Sequence, residues 1–454
     1  MKAAVVGAGL TGALLAARLG DAGHRVDLYD RRPDLRRHDV DAGRSINLAI
    51  SHRGLDALSR VDLDGTSLDG VVRDLAITMP GRMLHRLDGE LVFQPYGTDP
   101  DHVLHSVNRD LLNATLLDTV ERRTEVTTHF SARVRDVDVR TGALTVDTRS
   151  GDTAAPDPQR EQYDVVFGAD GAYSAMRGRL QRIGRVDYSQ TFLAHGYKEL
   201  TIPARADGTH ALDPHALHIW PRSSQMMIAL PNTDGSFTAT LFWPFAAPGE
   251  PEAVSFDRVV TADDVAAAFA RHYPDALELM PDLAAEYQAN PASSLVTIRT
   301  GPWYHDDRLL IIGDAAHAVV PFYGQGANAA LEDVTILFEH YARDAATPGV
   351  FARFYAERKD DADALADLAI EHYDEMRDSV RSRWFLATAA LERALHRLAP
   401  DRFVPLYTMV SFTRIPYAQA VERSRRQHRV LGVTVAVALA AVALVVALVV
   451  WLMT

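Results

Sequence analysis

The 454-residue sequence predicts an α/β fold: a Rossmann-like domain, an inserted antiparallel β-sheet domain, C-terminal helices and a single C-terminal transmembrane helix. Three observations indicate this fold. A glycine motif at 7–12 lies between an apolar strand and a helix. Short β-rich runs alternate with turn residues over 188–244. The segment 430–453 contains neither charge nor proline.

The first part of the chain predicts the start of the Rossmann-like domain. Residues 2–30 form the pattern strand, glycine turn, helix and strand, which is a βαβ unit. Residues 106–120 open with a capping Ser or Asn and predict a helix. Alternating apolar residues over 126–148 predict strands, and 152–159 is a polar loop that contains proline.

The remaining segments complete the predicted architecture. Runs within 188–244, separated by Pro, Gly and Asp-Gly, predict an antiparallel meander. Residues 308–316 return to a buried strand, and 327–344 predict a long helix. Residues 351–399 are predicted to be helical, with many charged side chains.

Composition excludes several classes of function. The net charge of −13 argues against nucleic-acid binding, since proteins of that class carry basic faces. Cysteine is absent, so the chain has no disulfide bonds and no thiolate metal ligands. We assign no metal site.

The glycine motif predicts a bound dinucleotide. Gly7 allows the tight turn, Gly9 lets the backbone approach a pyrophosphate, and Gly12 lets helix and strand pack closely. The helix that follows stabilises phosphate charge at its N-terminus. Asp30 ends the second strand, where a carboxylate accepts a hydrogen bond from the ribose and disfavours a 2′-phosphate. The motif therefore predicts FAD or NAD rather than NADP.

Two later segments favour FAD over NAD. Asp170 and Asp314 each follow an apolar strand, and Asp314 is suited to bond a ribityl hydroxyl. Residues 324–328 open the long helix, so its free N–H groups can face the negative charge of a reduced flavin. No second G-x-G-x-x-G motif is found for the nicotinamide.

The order of these motifs closely resembles the single-component FAD-dependent aromatic hydroxylases. Segments 43–54, 195–203, 217–222, 226–232 and 403–410 look like the kynurenine 3-monooxygenases within that family. The resemblance covers residues 3 to about 429 and implies hydroxylation of L-kynurenine to 3-hydroxykynurenine, a step of tryptophan degradation. It implies bound FAD, O₂, a flavin C4a-hydroperoxide, and NADPH, or alternatively NADH, as a transient co-substrate.

The resemblance also implies site residues. Arg82 and Tyr96 match positions that hold the substrate carboxylate, a task for which the guanidinium of Arg82 is suited by its bidentate bonding. Tyr407 matches a third pocket residue, which comes from the C-terminal helices. His372 takes the fourth substrate-pocket position, where the family usually has Asn, and either side chain can donate to a carboxylate. His317 is expected to support the flavin loop. No protein nucleophile or general base is assigned. The motifs and the resemblance together predict these FAD contacts: Gly7, Gly9, Leu10, Gly12, Asp30, Arg31, Arg32, Ala49, Arg109, Val134, Asp170, Asp314, Gly324, Gly326, Ala327 and Asn328.

Two alternatives stay open from the sequence. One is a related membrane-associated flavin hydroxylase or epoxidase of a lipophilic substrate, although Arg82 would be costly in a lipid-binding pocket. The other is a membrane-tethered FAD redox sensor without turnover.

The sequence also predicts domain boundaries and a membrane partner. As a helix, 430–453 would be about 36 Å long, enough for the ~30 Å core of a lipid bilayer. Arginines within 423–429 would keep residues 1–429 on the cytoplasmic side of this tail anchor. The predicted domains are 1–187 (FAD binding, with part of the substrate pocket at about 70–105), 188–295 (β-sheet substrate domain), 296–350 (return of the FAD-binding domain), 351–429 (helical region) and 430–453 (anchor).

Overall fold

The structure, a computed structural model, describes residues 1–453 apart from 38–46, 151–152, 155–158, 250–252, 345–347, 379–395, 397–398 and 400–401. Its strands are β1 (Lys2–Val6), β2 (Arg25–Tyr29), β3 (Asn47–Ile50), β4 (Asp62–Leu63), β5 (Thr66–Ser67), β6 (Ile77–Met79), β7 (Gly81–His85), β8 (Leu91–Pro95), β9 (Leu104–Asn108), β10 (Val126–His129), β11 (Ala132–Asp138), β12 (Ala143–Ser150), β13 (Thr153–Ala154), β14 (Gln159–Gln162), β15 (Val165–Gly168), β16 (Asp187–Ile202), β17 (Leu217–Pro221), β18 (Met226–Pro231), β19 (Phe237–Pro244), β20 (Ser293–Gly301), β21 (Tyr304–His305) and β22 (Leu309–Ile311). Its helices are α1 (Leu10–Asp21), α2 (His52–Leu58), α3 (Leu68–Asp74), α4 (Arg109–Glu121), α5 (Ala175–Ile183), α6 (Ala262–His272), α7 (Pro274–Leu277), α8 (Leu283–Ala289), α9 (Asp314–His317), α10 (Gly326–Asp344), α11 (Val350–Asp378), α12 (Leu406–Phe412) and α13 (Tyr417–Met453).

A six-stranded sheet in the order β10-β2-β1-β15-β22-β21 forms the first domain. Its first five strands are parallel, and β21 is antiparallel. The apolar run of β1 is almost wholly buried, as parallel strands covered on both faces require. The predicted βαβ unit at 2–30 and the Rossmann-like α/β fold are therefore confirmed.

The predicted helix at 106–120 begins later than expected. Residues up to Asn108 belong to β9, and α4 starts at Arg109. The side chain of Asn108 accepts hydrogen bonds from the backbone N–H groups of Asp110 and Leu111, at 3.0 and 3.1 Å. Of the two candidate caps, the structure thus has Asn rather than Ser.

A seven-stranded sheet in the order β20-β16-β19-β18-β17-β7-β8 forms the second domain. The predicted meander is present in β17–β19, whereas β16 pairs antiparallel with β19 rather than with its neighbour in sequence, β17. The sheet is also not wholly antiparallel, because β7 pairs in parallel with β17. In this register Arg82 lies opposite Leu217. The hairpin β7–β8 therefore brings part of the first domain's sequence into the second sheet.

Two predictions fall partly outside the described residues. The predicted loop at 152–159 contains the short strand β13, and β14 begins at Gln159, while the rest of that loop is not described. The predicted helical region 351–399 contains α11 up to Asp378, and most of its remainder lies outside the described residues. The domain boundaries stay predictions.

The predicted transmembrane helix is not supported by the structure. Residues 430–453 lie in α13. Within the described part of the chain, no helix combines the length and the apolar character that crossing a bilayer requires.

Candidate active site

A cavity of about 480 Å³ opens where the parallel strands of the first sheet end. Such strand ends are the usual ligand-binding edge of doubly wound sheets. Fourteen of the sixteen predicted FAD contacts line the cavity: Gly7, Gly9, Leu10, Asp30, Arg31, Arg32, Ala49, Arg109, Val134, Asp170, Asp314, Gly324, Gly326 and Ala327. The two others, Gly12 and Asn328, do not line it.

The three glycines of the motif have different surroundings. A Cβ on Gly12 would lie 1.8 Å from the carbonyl oxygen of Gly7, so Gly12 serves the packing of α1 on β1. Gly7 has a φ of +105°, which favours glycine. A Cβ on Gly9 would meet no protein atom within 4 Å, and no side chain caps the first turn of α1. The cavity therefore offers open space and uncapped N–H groups where a pyrophosphate would bind.

Asp30 lines the cavity as a charged carboxylate. Its Oδ2 accepts a hydrogen bond from the backbone N–H of Ala8 at 2.9 Å, and Arg32 binds both carboxylate oxygens. Burial alone would raise the pKa of Asp30, but the hydrogen bonds and charge of Arg32 outweigh burial and hold this pKa below its usual value. A negative group is thus fixed at the end of β2, where the ribose of a dinucleotide is expected.

The two other predicted aspartates differ in their partners. Asp170 accepts from the hydroxyl of Ser174 at 2.5 Å and from the N–H of Ala175 at 2.7 Å, so it caps the start of α5. Asp314 lines the cavity, and its carboxylate forms no hydrogen bond with another described residue. An acceptor without a protein partner fits the proposed bond to a ribityl hydroxyl.

Asn328 supports the cavity from outside. Its side chain is fully buried, and its amide donates to the carbonyl oxygens of Ala49 and Gly324, at 2.9 and 2.8 Å. Its Oδ1 accepts from the N–H of Ser51 at 2.9 Å. Asn328 therefore holds two cavity-lining backbone segments together.

His317 also lies behind the cavity wall. Its Nε2 is 2.6 Å from Oδ2 of the buried Asp333, and the same oxygen accepts from the N–H of Gly313 at 3.3 Å. Arg358 donates to the other oxygen of Asp333 at 2.8 Å. This arrangement ties His317 to the turn that precedes Asp314.

The predicted substrate residues Arg82, Tyr96 and Tyr407 meet in one cluster. The guanidinium carbon of Arg82 lies 5.6 Å from the ring centre of Tyr96 and 5.2 Å from that of Tyr407. The two rings stack with centres 5.5 Å apart. Ala49 packs against this cluster and also lines the larger cavity, so the cluster adjoins the proposed FAD site.

Two polar groups of this cluster can still bind an anion: the Tyr96 hydroxyl has no hydrogen-bond partner among the described residues, and Arg82, which bonds to the Tyr407 hydroxyl, has no carboxylate partner there. The Tyr96 hydroxyl is buried, and the structure gives it no hydrogen-bond partner among the described residues. Burial raises the pKa of Tyr96 far above its usual value. Within the same described part of the chain, no carboxylate forms an ion pair with Arg82. An anionic ligand would satisfy both groups.

His372 lies beside the cluster rather than in the larger cavity. Its ring centre is 4.8 Å from that of Tyr323 and 6.2 Å from that of Tyr407, and it lines a second cavity of about 230 Å³. Tyr323, whose ring stacks on Tyr407 at 5.5 Å, and Phe412 also belong to the cluster, and neither was predicted from the sequence. The only sequence signal for Tyr323 was its position directly before Gly324, a predicted FAD contact.

Comparisons with known proteins agree with this geometry. The family model described as "FAD binding domain" matches residues 1–369. The chain is 46% identical to a kynurenine 3-monooxygenase of Myxococcus xanthus over 92% of this chain and 87% of that protein. It is 43% identical to one of Salinispora arenicola, covering 97% and 96%, and 39% identical to one of Dictyostelium discoideum, covering 94% and 92%.

Solved structures share the fold. The tetrameric form of 2-methyl-3-hydroxypyridine-5-carboxylic acid oxygenase superposes with a TM-score of 0.65 at 17% identity, covering 92% of this chain and 97% of that one. PqsL of Pseudomonas aeruginosa, in complex with 2-aminobenzoylacetate, gives 0.65 at 18% identity, covering 85% and 99%. The chain belongs to the family of FAD-dependent aromatic monooxygenases that includes the kynurenine 3-monooxygenases.

Proposed function

We propose that the protein hydroxylates L-kynurenine to 3-hydroxykynurenine, using bound FAD, O₂ and NADPH or NADH. The observation that carries the proposal is the cluster of Arg82 with Tyr96 and Tyr407 beside the large cavity. Curated relatives with this activity in their names cover almost the whole chain, which supports the same substrate.

The cluster suits an aromatic amino acid. Arg82 would bind the substrate carboxylate with two parallel hydrogen bonds, because a guanidinium matches a carboxylate in shape and charge. The unpartnered hydroxyl of Tyr96 would donate a further bond. The stacked rings of Tyr96, Tyr407 and Tyr323 form an apolar wall that limits the access of water.

The tyrosines act as hydrogen-bond donors and not as bases. Burial raises the pKa of Tyr407, although the cation of Arg82 partly offsets it, and burial also raises that of Tyr96. Both hydroxyls therefore keep their protons at neutral pH. When bound, FAD supplies the electron transfer and oxygen activation, so the protein has to bind, orient and shield the substrate.

A substitution at Arg82 tests the proposal. Arg82→Gln should raise the KM for L-kynurenine by about 100-fold or more while FAD stays bound, because it removes a charged, bidentate contact. The matched control is Arg86→Gln in the same hairpin, where the arginine is exposed and forms a surface ion pair with Glu90. If Arg82→Gln turned over L-kynurenine like the parent protein, the pocket assignment would be wrong.

The assay follows NAD(P)H oxidation with and without L-kynurenine, with detection of 3-hydroxykynurenine. NAD(P)H oxidation stimulated only by lipids would contradict the proposal and indicate a lipophilic substrate. A complete lack of NAD(P)H oxidation by FAD-loaded protein would contradict the proposal and indicate a redox sensor without turnover.

We separately propose that the protein is anchored to a membrane through residues 430–453, with the catalytic domain on the cytoplasmic side. The sequence supports this proposal with 24 uncharged residues that follow four arginines at 423, 425, 426 and 429. Membrane fractions extracted with carbonate should retain the full chain and release a form truncated after residue 428. Equal release of both forms would refute the anchor.

A further inference from the structure

The short helix α12 carries Tyr407 but cannot hold its own position. It has seven residues, begins after Pro405 and lacks a side-chain cap at its start. A helix of two turns is not stable on its own in water, so α12 depends on tertiary contacts. Its last carbonyl groups also need partners from outside the helix.

Arg53 in α2 supplies these partners. It is 1% exposed, and its Nε donates to the carbonyl oxygen of Val410 at 2.8 Å. Its Nη2 donates to the carbonyl oxygens of Met409, at 3.5 Å, and of Ile415. The cation thus caps the C-terminal end of α12, where a positive charge is favourable.

The guanidinium of Arg53 is itself fixed in place. Its Nη1 donates to Oε1 of the buried Glu332 in α10 at 2.7 Å. Its carbon lies 4.1 Å from the ring centre of Tyr417, at the start of α13. Arg53 therefore joins α12 to three other helices through one planar group, which a lysine cannot imitate.

The capped carbonyls lie next to the pocket. Val410 is about one helical turn after Tyr407, whose hydroxyl bonds to Ser411 and whose ring faces Arg82 at 5.2 Å. Gln325 donates to the Ser411 hydroxyl at 3.4 Å from the loop that lines the FAD site. We propose that Arg53 is a positioning residue that docks α12 so that Tyr407 stands opposite Arg82. Its effect on kynurenine rests on the proposed function.

The first test compares two buried arginines. Arg222 is the matched control because it also donates to backbone carbonyls, among them those of His85 and of His272 at the end of α6, and lies 5.5 Å from a tyrosine ring. FAD-loaded Arg53→Lys should raise the KM for L-kynurenine about tenfold with kcat changed less than about twofold. Arg222→Lys should keep the KM within about twofold at a comparable loss of melting temperature. Equal KM values for the two variants would overturn the inference.

Two further measurements separate docking from general damage. In a Tyr407→Leu background, Arg53→Lys should raise the KM by less than about twofold, because the aromatic ring that it misplaces is already absent. A full tenfold effect there would mean that Arg53 does not act through Tyr407. Hydrogen exchange needs no substrate: Arg53→Lys, but not Arg222→Lys, should speed exchange about tenfold over residues 406–416. Unchanged exchange would refute the docking role, whereas faster exchange without kynurenine turnover by the parent would refute only the proposed function.

Discussion

Replacing Tyr96 by phenylalanine should make the ligand-free protein more stable and the substrate complex weaker. The hydroxyl of Tyr96 is buried without a hydrogen-bond partner among the described residues, and the residue is 7% exposed. An unsatisfied buried hydroxyl costs about 1–3 kcal/mol in the ligand-free protein. Tyr96→Phe removes that cost and keeps the stacking of the ring on Tyr407.

The two effects differ in size. The free energy of unfolding should rise by about 1 kcal/mol, which for a chain of this length changes the melting temperature by only about 1 °C. The lost hydrogen bond to a carboxylate is worth about 1.5–3 kcal/mol, so the KM for L-kynurenine should rise about 10- to 100-fold. FAD content should not change, since Tyr96 does not line the larger cavity.

Denaturant unfolding without substrate and steady-state kinetics measure the two effects. The control is Tyr163→Phe: this tyrosine is also buried, but its hydroxyl bonds to Asp27 at 3.0 Å and to Tyr29 at 2.6 Å. The control should lose stability and keep its KM. If Tyr96→Phe lost stability in the same way and kept its KM, the hydroxyl would have a partner in the protein and would not reach the substrate.

Other substitutions test the FAD site and the acid limit of stability. Gly9→Ala should fold normally, because a Cβ there meets no protein atom within 4 Å, yet it should bind FAD more weakly in an FAD titration. Gly12→Ala should lower the melting temperature in thermal unfolding, because its Cβ would lie 1.8 Å from a backbone oxygen. The lowered pKa of Asp30 keeps its carboxylate charged until the pH falls through that pKa. Arg32→Leu removes the groups that lower this pKa and leaves burial, which raises it. Acid-induced release of FAD, followed by flavin fluorescence, should therefore occur at higher pH in this variant. Burial, with the nearby Arg73, lowers the pKa of His105 from 6.5 to about 4 in the folded protein. Between pH 6.5 and pH 4 the unfolded chain therefore binds more protons than the folded protein. The protein should lose up to about 3 kcal/mol as the pH falls from 6.5 to 4, and His105→Gln should reduce this loss in denaturant unfolding.

The cavity residues were predictable because their chemistry lies in contiguous segments. The glycines of the turn at 7–12 are recognisable because an apolar strand precedes the turn and a helix follows it. Asp30, Asp170 and Asp314 are recognisable because each follows an apolar strand. Gly12 and Asn328 were grouped with these residues by position in the motif. Gly12 packs closely against Gly7, as the motif predicts, whereas the bridge that Asn328 forms between Ala49 and Gly324 is visible only in three dimensions.

Long-range pairing was not predictable from local patterns. The alternation in β7 indicates a strand but not its partner, and the parallel pair with β17 joins residues 135 positions apart, such as Arg82 and Leu217. Likewise, Arg53 occupies the second position of a short helix, and the residues around it in sequence do not indicate whether it is buried. Only the tertiary structure shows that it is 1% exposed and bonded to α12.

The two halves of the site therefore depend on different levels of structure. The FAD cavity is built on the strand ends of one sheet, so its integrity follows from local motifs and the parallel register. The aromatic cluster combines Arg82 from β7, Tyr96 from the chain just after β8 and Tyr407 from α12, so it depends on how these separate elements pack together. Substitutions in the motifs should consequently change FAD content first, whereas substitutions that loosen α12 should change the KM for the substrate while FAD remains bound. A variant such as Arg53→Lys that lost FAD before its KM changed would contradict this division, because α12 would then support the cofactor and not the pocket.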